Sequence, residues 1–163
     1  MLIKRGLRAD LDYNLESNIM KYKTTWTKEK EINRKWYVVD VKGKVLGRAA
    51  TKIAALLIGK CKVEQVPNLD CGDYVVVLNS DKVELTRGKE SQKTYFRHSG
   101  YPGGAKEITF DKQMLKNSKF VIEKAVTNML PNNKLRSGML ARLFVYEGTE
   151  HSHEAQKPEV FNL

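Results

Sequence analysis

The stretch 87–106, RGKESQKTYFRHSGYPGGAK, holds the residue types best suited to chemistry. Arg87, Lys89, Lys93, Arg97 and Lys106 set five cations along it, with His98 among them, and Tyr95, Phe96 and Tyr101 fall between the charges. Cations neutralise phosphates, and aromatic rings stack on unpaired bases. Gly100, Gly103 and Gly104 let a backbone approach closely and turn its N–H groups toward phosphate oxygens. Together these point to contact with nucleic acid. The competing reading is a mobile surface loop whose aromatic residues dip back into a core.

Other chemistries fit less well. His98 with Asp70 or Asp73 makes an imaginable acid–base pair, yet no nucleophile motif and no paired catalytic carboxylates accompany it. His151 and His153 form an H-x-H pair, but Cys61 and Cys71 stand alone and bring no further ligands to a zinc site. A solvated tail is the plainer account of the two histidines. Gly43, Gly47 and Gly59 match neither a P-loop nor a dinucleotide fingerprint. The sequence therefore implies no enzyme, no metal, no cofactor and no small-molecule substrate.

Charge narrows the class further. The 163 residues suit one domain, and 29 lysines and arginines against 19 acidic residues leave a net charge of +10. A compact domain that basic calls for a polyanionic partner. The excess is blocked: residues 20–62 carry net +9, 63–86 net −4, 87–106 net +4 and 131–145 net +3. The first block includes Lys44, Arg48, Lys52, Lys60 and Lys62; the last holds Lys134, Arg136 and Arg142. Blocks separated by acidic or neutral segments suggest a folded body with one charged face rather than a basic tail. The two cysteines read as reduced cytosolic thiols. No apolar run approaches the roughly 20 residues needed to span a bilayer, so no membrane partner is expected. Residues 1–19 are charge-neutral and precede Met20, which reads as a natural start. They are expected to be an N-terminal extension, either mobile or the product of an upstream start, ahead of a single domain over 20–163.

The elements that must position these residues follow from periodicity. WYVVD at 36–40 predicts a buried strand, and VLGRAATKIAALLIGK predicts an amphipathic helix stopped by Gly59. Leu46, Ala50, Ile53 and Leu57 share its inner face, while Arg48 and Lys52 point away. A central strand is expected at 74–79, then a turn at 79–81 and a returning strand at 82–86, as a hairpin. The 87–106 stretch reads as a mostly irregular basic loop with a short strand at 94–97. Helices follow at 110–115 and 118–130, the second with Ser118 as N-cap and Val121, Ile122, Ala125, Val126 and Met129 inward. Pro131 ends it. A short helix marked by Leu135, Met139 and Leu143, a last strand at 144–146 and a polar tail complete the chain.

VDVKGKVLGRAATKIAALLIGK, VPNLDCGDYVVVLNSDKVELT, KTYFRHSGYPGG, AVTNMLPNNKL and VYEGTEHSHEAQKPEV resemble, in order, the bacterial ribosomal protein L-thirteen family of the large subunit. The resemblance runs from about Met20 to the C-terminus. It implies a three-layer α/β/α fold with a mostly parallel four-stranded central sheet and a basic RNA-binding loop. It also implies binding to large-subunit ribosomal RNA beside neighbouring large-subunit proteins, a role in early subunit assembly, and no enzymatic activity. Carried over by motif, Arg48 and Lys52 come from LGRAATK, and Lys134 and Arg136 from MLPNNKLR. Arg87, Lys89, Lys93, Arg97, His98, Tyr101 and the glycines come from the stretch between. Thr127-Asn128 departs from the Lys-Gly pair common in the family. The alternative reading is an mRNA-binding translational regulator that uses the same basic surface.

Overall fold

The computed structural model describes residues 26–163; the extension expected over 1–19 lies outside the described residues. Strand β1 (Trp36–Asp40) and helix α1 (Leu46–Ile58) form where the apolar patterns place them. Leu46, Ala50, Ile53 and Leu57 are all buried, and Gly59 closes the helix in the left-handed region at φ 79°. Strand β2 (Tyr74–Leu78) pairs in parallel with β1, and its three central valines are fully buried. After it come a short helix α2 (Lys89–Gln92), strands β3 (Thr94–His98) and β4 (Ala105–Thr109), and helices α3 (Phe110–Lys116), α4 (Ser118–Met129) and α5 (Arg136–Leu140). Strands β5 (Leu143–Val145) and β6 (Glu159–Val160) end the fold.

The architecture is α/β, and the four strands of the central sheet are all parallel in the order β5-β2-β1-β6. From β1 the chain steps to β2 and on to β5 in one direction, then crosses back to β6 at the far edge. Right-handed crossovers that reverse direction must run over the opposite face of the sheet. Accordingly Val39, Val75, Val77, Leu143 and Val145 share one core cluster with α1 and α4. The other face carries Trp36, Tyr74 and Phe144, with His153 of the returning segment packed on it. Trp36 stacks on Tyr74 at 4.3 Å between ring centroids, and the His153 ring lies 4.4 Å from Phe144 and 5.0 Å from Trp36. The expected polar tail is therefore a covering layer that supplies the fourth strand. A two-residue strand has no periodicity to betray it.

Four local expectations need correction. Residues 82–86 do not form a hairpin with β2. Asn79 takes the left-handed conformation at φ 57°, a 3-10 turn follows, and Glu84 makes a lone parallel bridge to Val45. The N-cap of α4 is Asn117, whose Oδ1 accepts from the Phe120 N–H at 3.1 Å; Ser118 is buried, its hydroxyl 2.7 Å from that of Ser80. Met129 faces outward rather than into the core. Finally, most of the 87–106 loop is ordered: α2 and an antiparallel ribbon, β3 with β4, leave only the tip irregular. The ribbon is largely exposed on both sides, so it lacks the alternating apolar signal of a half-buried strand.

Segment 70–73, Asp-Cys-Gly-Asp, ties the end of α1 to the starts of β2 and β5. Arg142 is buried, and its two terminal nitrogens donate to the two carboxylate oxygens of Asp70. Asp73 accepts from the Lys35 backbone N–H at 2.8 Å and from the Lys62 ammonium at 2.5 Å. A Cβ on Gly72 would lie 1.7 Å from the Leu57 carbonyl oxygen, so only glycine fits that approach. The placement of Arg142 in the nucleic-acid surface is thereby overturned, since its charge is used inside. Lys62 is similarly engaged: its ammonium also donates to the carbonyls of Asn33 and Cys71.

Two predictions follow from these contacts. Arg142→Gln strands a buried carboxylate and should cost about 3–5 kcal/mol of stability, seen as a melting temperature lower by roughly 10 °C. A near-neutral result would return Arg142 to the surface. The second concerns Asp40, whose Oδ1 accepts from the Asn79 side-chain amide at 2.8 Å and the Lys42 N–H at 2.9 Å. These bonds, the Asn79 amide first, hold its carboxyl below the usual carboxylate range. A depressed value stabilises the fold above the unfolded carboxylate pKa of about 3.9, and the gain is lost as pH falls through the lower folded value. Asp40→Asn should therefore be less stable than the parent in urea melts near neutral pH, with the gap closing in strong acid. A gap constant with pH would show that the ionised form contributes nothing.

Candidate nucleic-acid interface

With Arg142 and Lys62 turned inward, ten of the candidate cations remain on the surface. Lys44, Arg48, Lys52, Lys60, Arg87, Lys89, Lys93, Arg97, Lys106 and Lys134 are exposed, and among the described residues none of them is within salt-bridge distance of an acid. Arg136 is half-buried and caps the end of α4, donating from Nε and Nη2 to the carbonyls of Pro131 and Leu130, each at 3.0 Å. Its role is at least partly structural. The acids of the 63–86 segment divide the same way: Asp70 and Asp73 are spent on interior cations.

Helix α1 presents Arg48 and Lys52 because its apolar stripe is committed to the core. Lys44 and Gly43 lie in the turn before it, and with Val45, Thr51 and Leu163 these residues line an open hollow of about 500 Å³ at the carboxyl end of the parallel sheet. Lys60 stands at the opposite end of the helix, just past Gly59. The sequence groups it with Arg48 and Lys52; the structure sets it a full helix length from Lys44.

The ribbon builds a second zone. Thr94↔Thr109 through His98↔Ala105 pair in register, and a tip at 99–104 closes the turn. Gly100 and Gly103 adopt φ 88° and 73°, and the Gly100 N–H donates to His98 Nδ1 at 2.9 Å. The His98 imidazole thus serves the turn, and Asp70 and Asp73 are engaged elsewhere, so no acid–base pair assembles among these three. Phe96 and Tyr101 are largely exposed, 62% and 75%, which leaves their rings free to stack on a partner. Tyr95 points the other way. Its ring meets that of Phe120 edge-to-face at 5.8 Å, Lys93 Nζ stands 5.3 Å from its centroid, and burial raises its hydroxyl pKa.

Helix α4 joins the zones, and sequence reasoning missed this. Its Phe120 touches the ribbon, its Met129 accepts at Sδ from the Thr51 hydroxyl of α1 at 3.5 Å, and the Leu130 carbonyl at its C-cap is held from the block containing Lys134. Phe120, Lys124 and Asn128 fall at i, i+4 and i+8, a stripe beside the ribbon. The available signal was that spacing, but it was masked by the stronger apolar stripe. His151 and His153 cover the sheet, the His153 N–H donating to His151 Nδ1 at 3.2 Å. Among the described residues no group of three or more His, Cys, Asp or Glu side chains could hold a metal ion, and no helix is long and apolar enough to cross a membrane.

Comparison with known proteins agrees with this geometry. The family described as "Ribosomal protein L13" matches residues 34–152. The large ribosomal subunit protein uL13 of Thermotoga maritima is 53% identical over 141 residues, covering 86% of this chain and 95% of the relative. Those of Clostridium novyi and Tolumonas auensis are 52% and 49% identical over the same length, covering 98% and 99% of the relatives. The family match spans β1, β2 and β5 of the sheet, the basic ribbon and the α4 segment that links the basic zones, and on that extent the chain belongs to the ribosomal protein L13 family.

Proposed function

We propose that this protein is a structural constituent of the large ribosomal subunit that binds large-subunit ribosomal RNA and supports early subunit assembly in the cytoplasm. The relatives carry the name of large-subunit proteins. The observation that carries the RNA-binding part is the sorting of charge: among the described residues the exposed cations of α1, the ribbon and the Lys134 turn lack acidic partners, while Asp70 and Asp73 hold interior ones. Surface cations left unpaired are available to release counterions from a phosphate backbone. Neighbouring large-subunit proteins are the further partners of this reading. The chain acts by shape and charge and carries out no reaction.

RNA affinity should fall steeply with salt. If six to ten phosphates are contacted, the loss between about 50 and 200 mM salt is roughly 10³ to 10⁵. Replacing Lys93 and Arg97 together by Gln should weaken binding while shifting stability by no more than about 0.5 kcal/mol, since both side chains are exposed. Filter binding and thermal melts measure the two. A flat salt response, or a large loss of stability with unaltered binding, would remove the ribbon from the interface. In cells the protein should co-sediment with large subunits in near-stoichiometric amount; an mRNA regulator would stay mainly in the soluble fraction.

A further inference from the structure

Between β3 and α4 runs a groove of about 430 Å³ whose walls differ in kind. The strand supplies Lys93, Tyr95 and Arg97; the helix supplies the stripe of Phe120, Lys124 and Asn128. The two rings meet edge-to-face and form an aromatic floor, and Phe120 remains 38% exposed. Three cations line the walls and no acid does; Glu123, the acid on this helix, lines a separate hollow against α5. The volume is within the range of small-ligand clefts, and the walls are too close for a double helix to enter.

We propose that this groove receives one unpaired nucleotide of the bound RNA, base against Tyr95 and Phe120, phosphates against Lys93, Arg97 and Lys124. The inference rests on the RNA-binding reading and adds to it a site for a single-stranded element. Base edges in an RNA duplex are hidden in a deep, narrow groove, whereas a splayed base offers both its face and its edge. An aromatic floor recognises the face without regard to sequence, and flanking cations hold the backbone. Asn128, one turn beyond Lys124 and exposed, brings a donor and an acceptor to the end of the groove, the pair needed to meet a base edge.

The test compares hexa-adenylate, the same oligonucleotide lacking its bases, and a short RNA duplex, each titrated with the full chain. The parent protein should prefer hexa-adenylate to the abasic oligonucleotide by roughly tenfold, near the lower range for one base–aromatic stack. Phe120→Leu should remove most of that preference, and Lys124→Gln and Asn128→Ala should each reduce hexa-adenylate binding several-fold, all three leaving duplex affinity within about twofold. Lys124 and Asn128 are fully on the surface, so their variants decide the matter even if Phe120→Leu folds poorly. Equal binding of the base-bearing and abasic strands overturns the groove assignment, as do equal losses on duplex and single strand, and both leave RNA binding itself standing. Failure to bind any of the three RNAs overturns the function proposed above together with the groove.

Discussion

The bidentate pair between Arg142 and Asp70 is the constraint on which the rest of the structure depends. Asp70 lies in the segment that touches the end of α1, the start of β2 and the start of β5 together. The Arg142 carbonyl accepts from the Val75 N–H at 3.0 Å, so the residue that grips Asp70 also begins the β2–β5 ladder. Three residues further along, Asp73 fixes Lys35 at the mouth of β1 and draws in Lys62. Gly72 permits the contact between Leu57 and this segment that holds α1 down on the sheet. Desolvating two ions is costly and the pair need not add net stability over an apolar replacement. Its consequence is register: a guanidinium that must meet a carboxylate in two places admits one arrangement of α1, β2 and β5.

That constraint also decides which charges face outward. A chain of net +10 has many cations to place, and the fold consumes Arg142 and Lys62 with Asp70 and Asp73. Among the described residues, the exposed cations of α1, the ribbon and the Lys134 turn face outward beyond salt-bridge distance of any acid. Exposed lysines and arginines repel one another in the free protein, a cost that a polyanion removes. Self-repulsion and partner binding are therefore the same property seen in two states.

The parts legible in the sequence were those in which one physical signal dominated. β1, β2 and α1 each bury an uninterrupted pattern, and Gly59 and Pro131 stop their helices for reasons of backbone geometry alone. The ribbon reads as a loop because its strands lie beside the sheet, with few residues, Tyr95 and its cross-strand partner Ile108 among them, even partly buried; alternation marks burial, and here little is buried. β6 was invisible because two residues cannot express a period, and its position follows from crossover handedness instead. Arg142 and Lys62 were taken as surface groups because charge counting cannot see a partner 72 or 11 residues away. The same blindness hid the α4 stripe, whose members matter only beside β3.

A two-stranded ribbon standing off the main sheet is marginal in water on its own. What steadies it here is narrow: the Tyr95–Phe120 contact, the packing of α2 and α3 at its base, and a bond from the Phe110 N–H to the Lys93 carbonyl at 2.8 Å. Each of these leads to α3 or α4, and α4 is held by α1, whose inner face fills the core. The ribbon is therefore tied to the core through α3, whose Phe110 is buried in it, and through α4. Substitutions at the buried face of α4, at Val121, Ile122 or Val126, act on the ribbon indirectly, because they alter the helix against which Tyr95 rests. On the outer stripe of α4, Phe120 steadies the ribbon through Tyr95, while Lys124 and Asn128 are exposed and, in the function proposed above, meet the RNA. One helix thus packs the core on one side and, on that reading, serves recognition on the other, which is why its two stripes obey different chemistry.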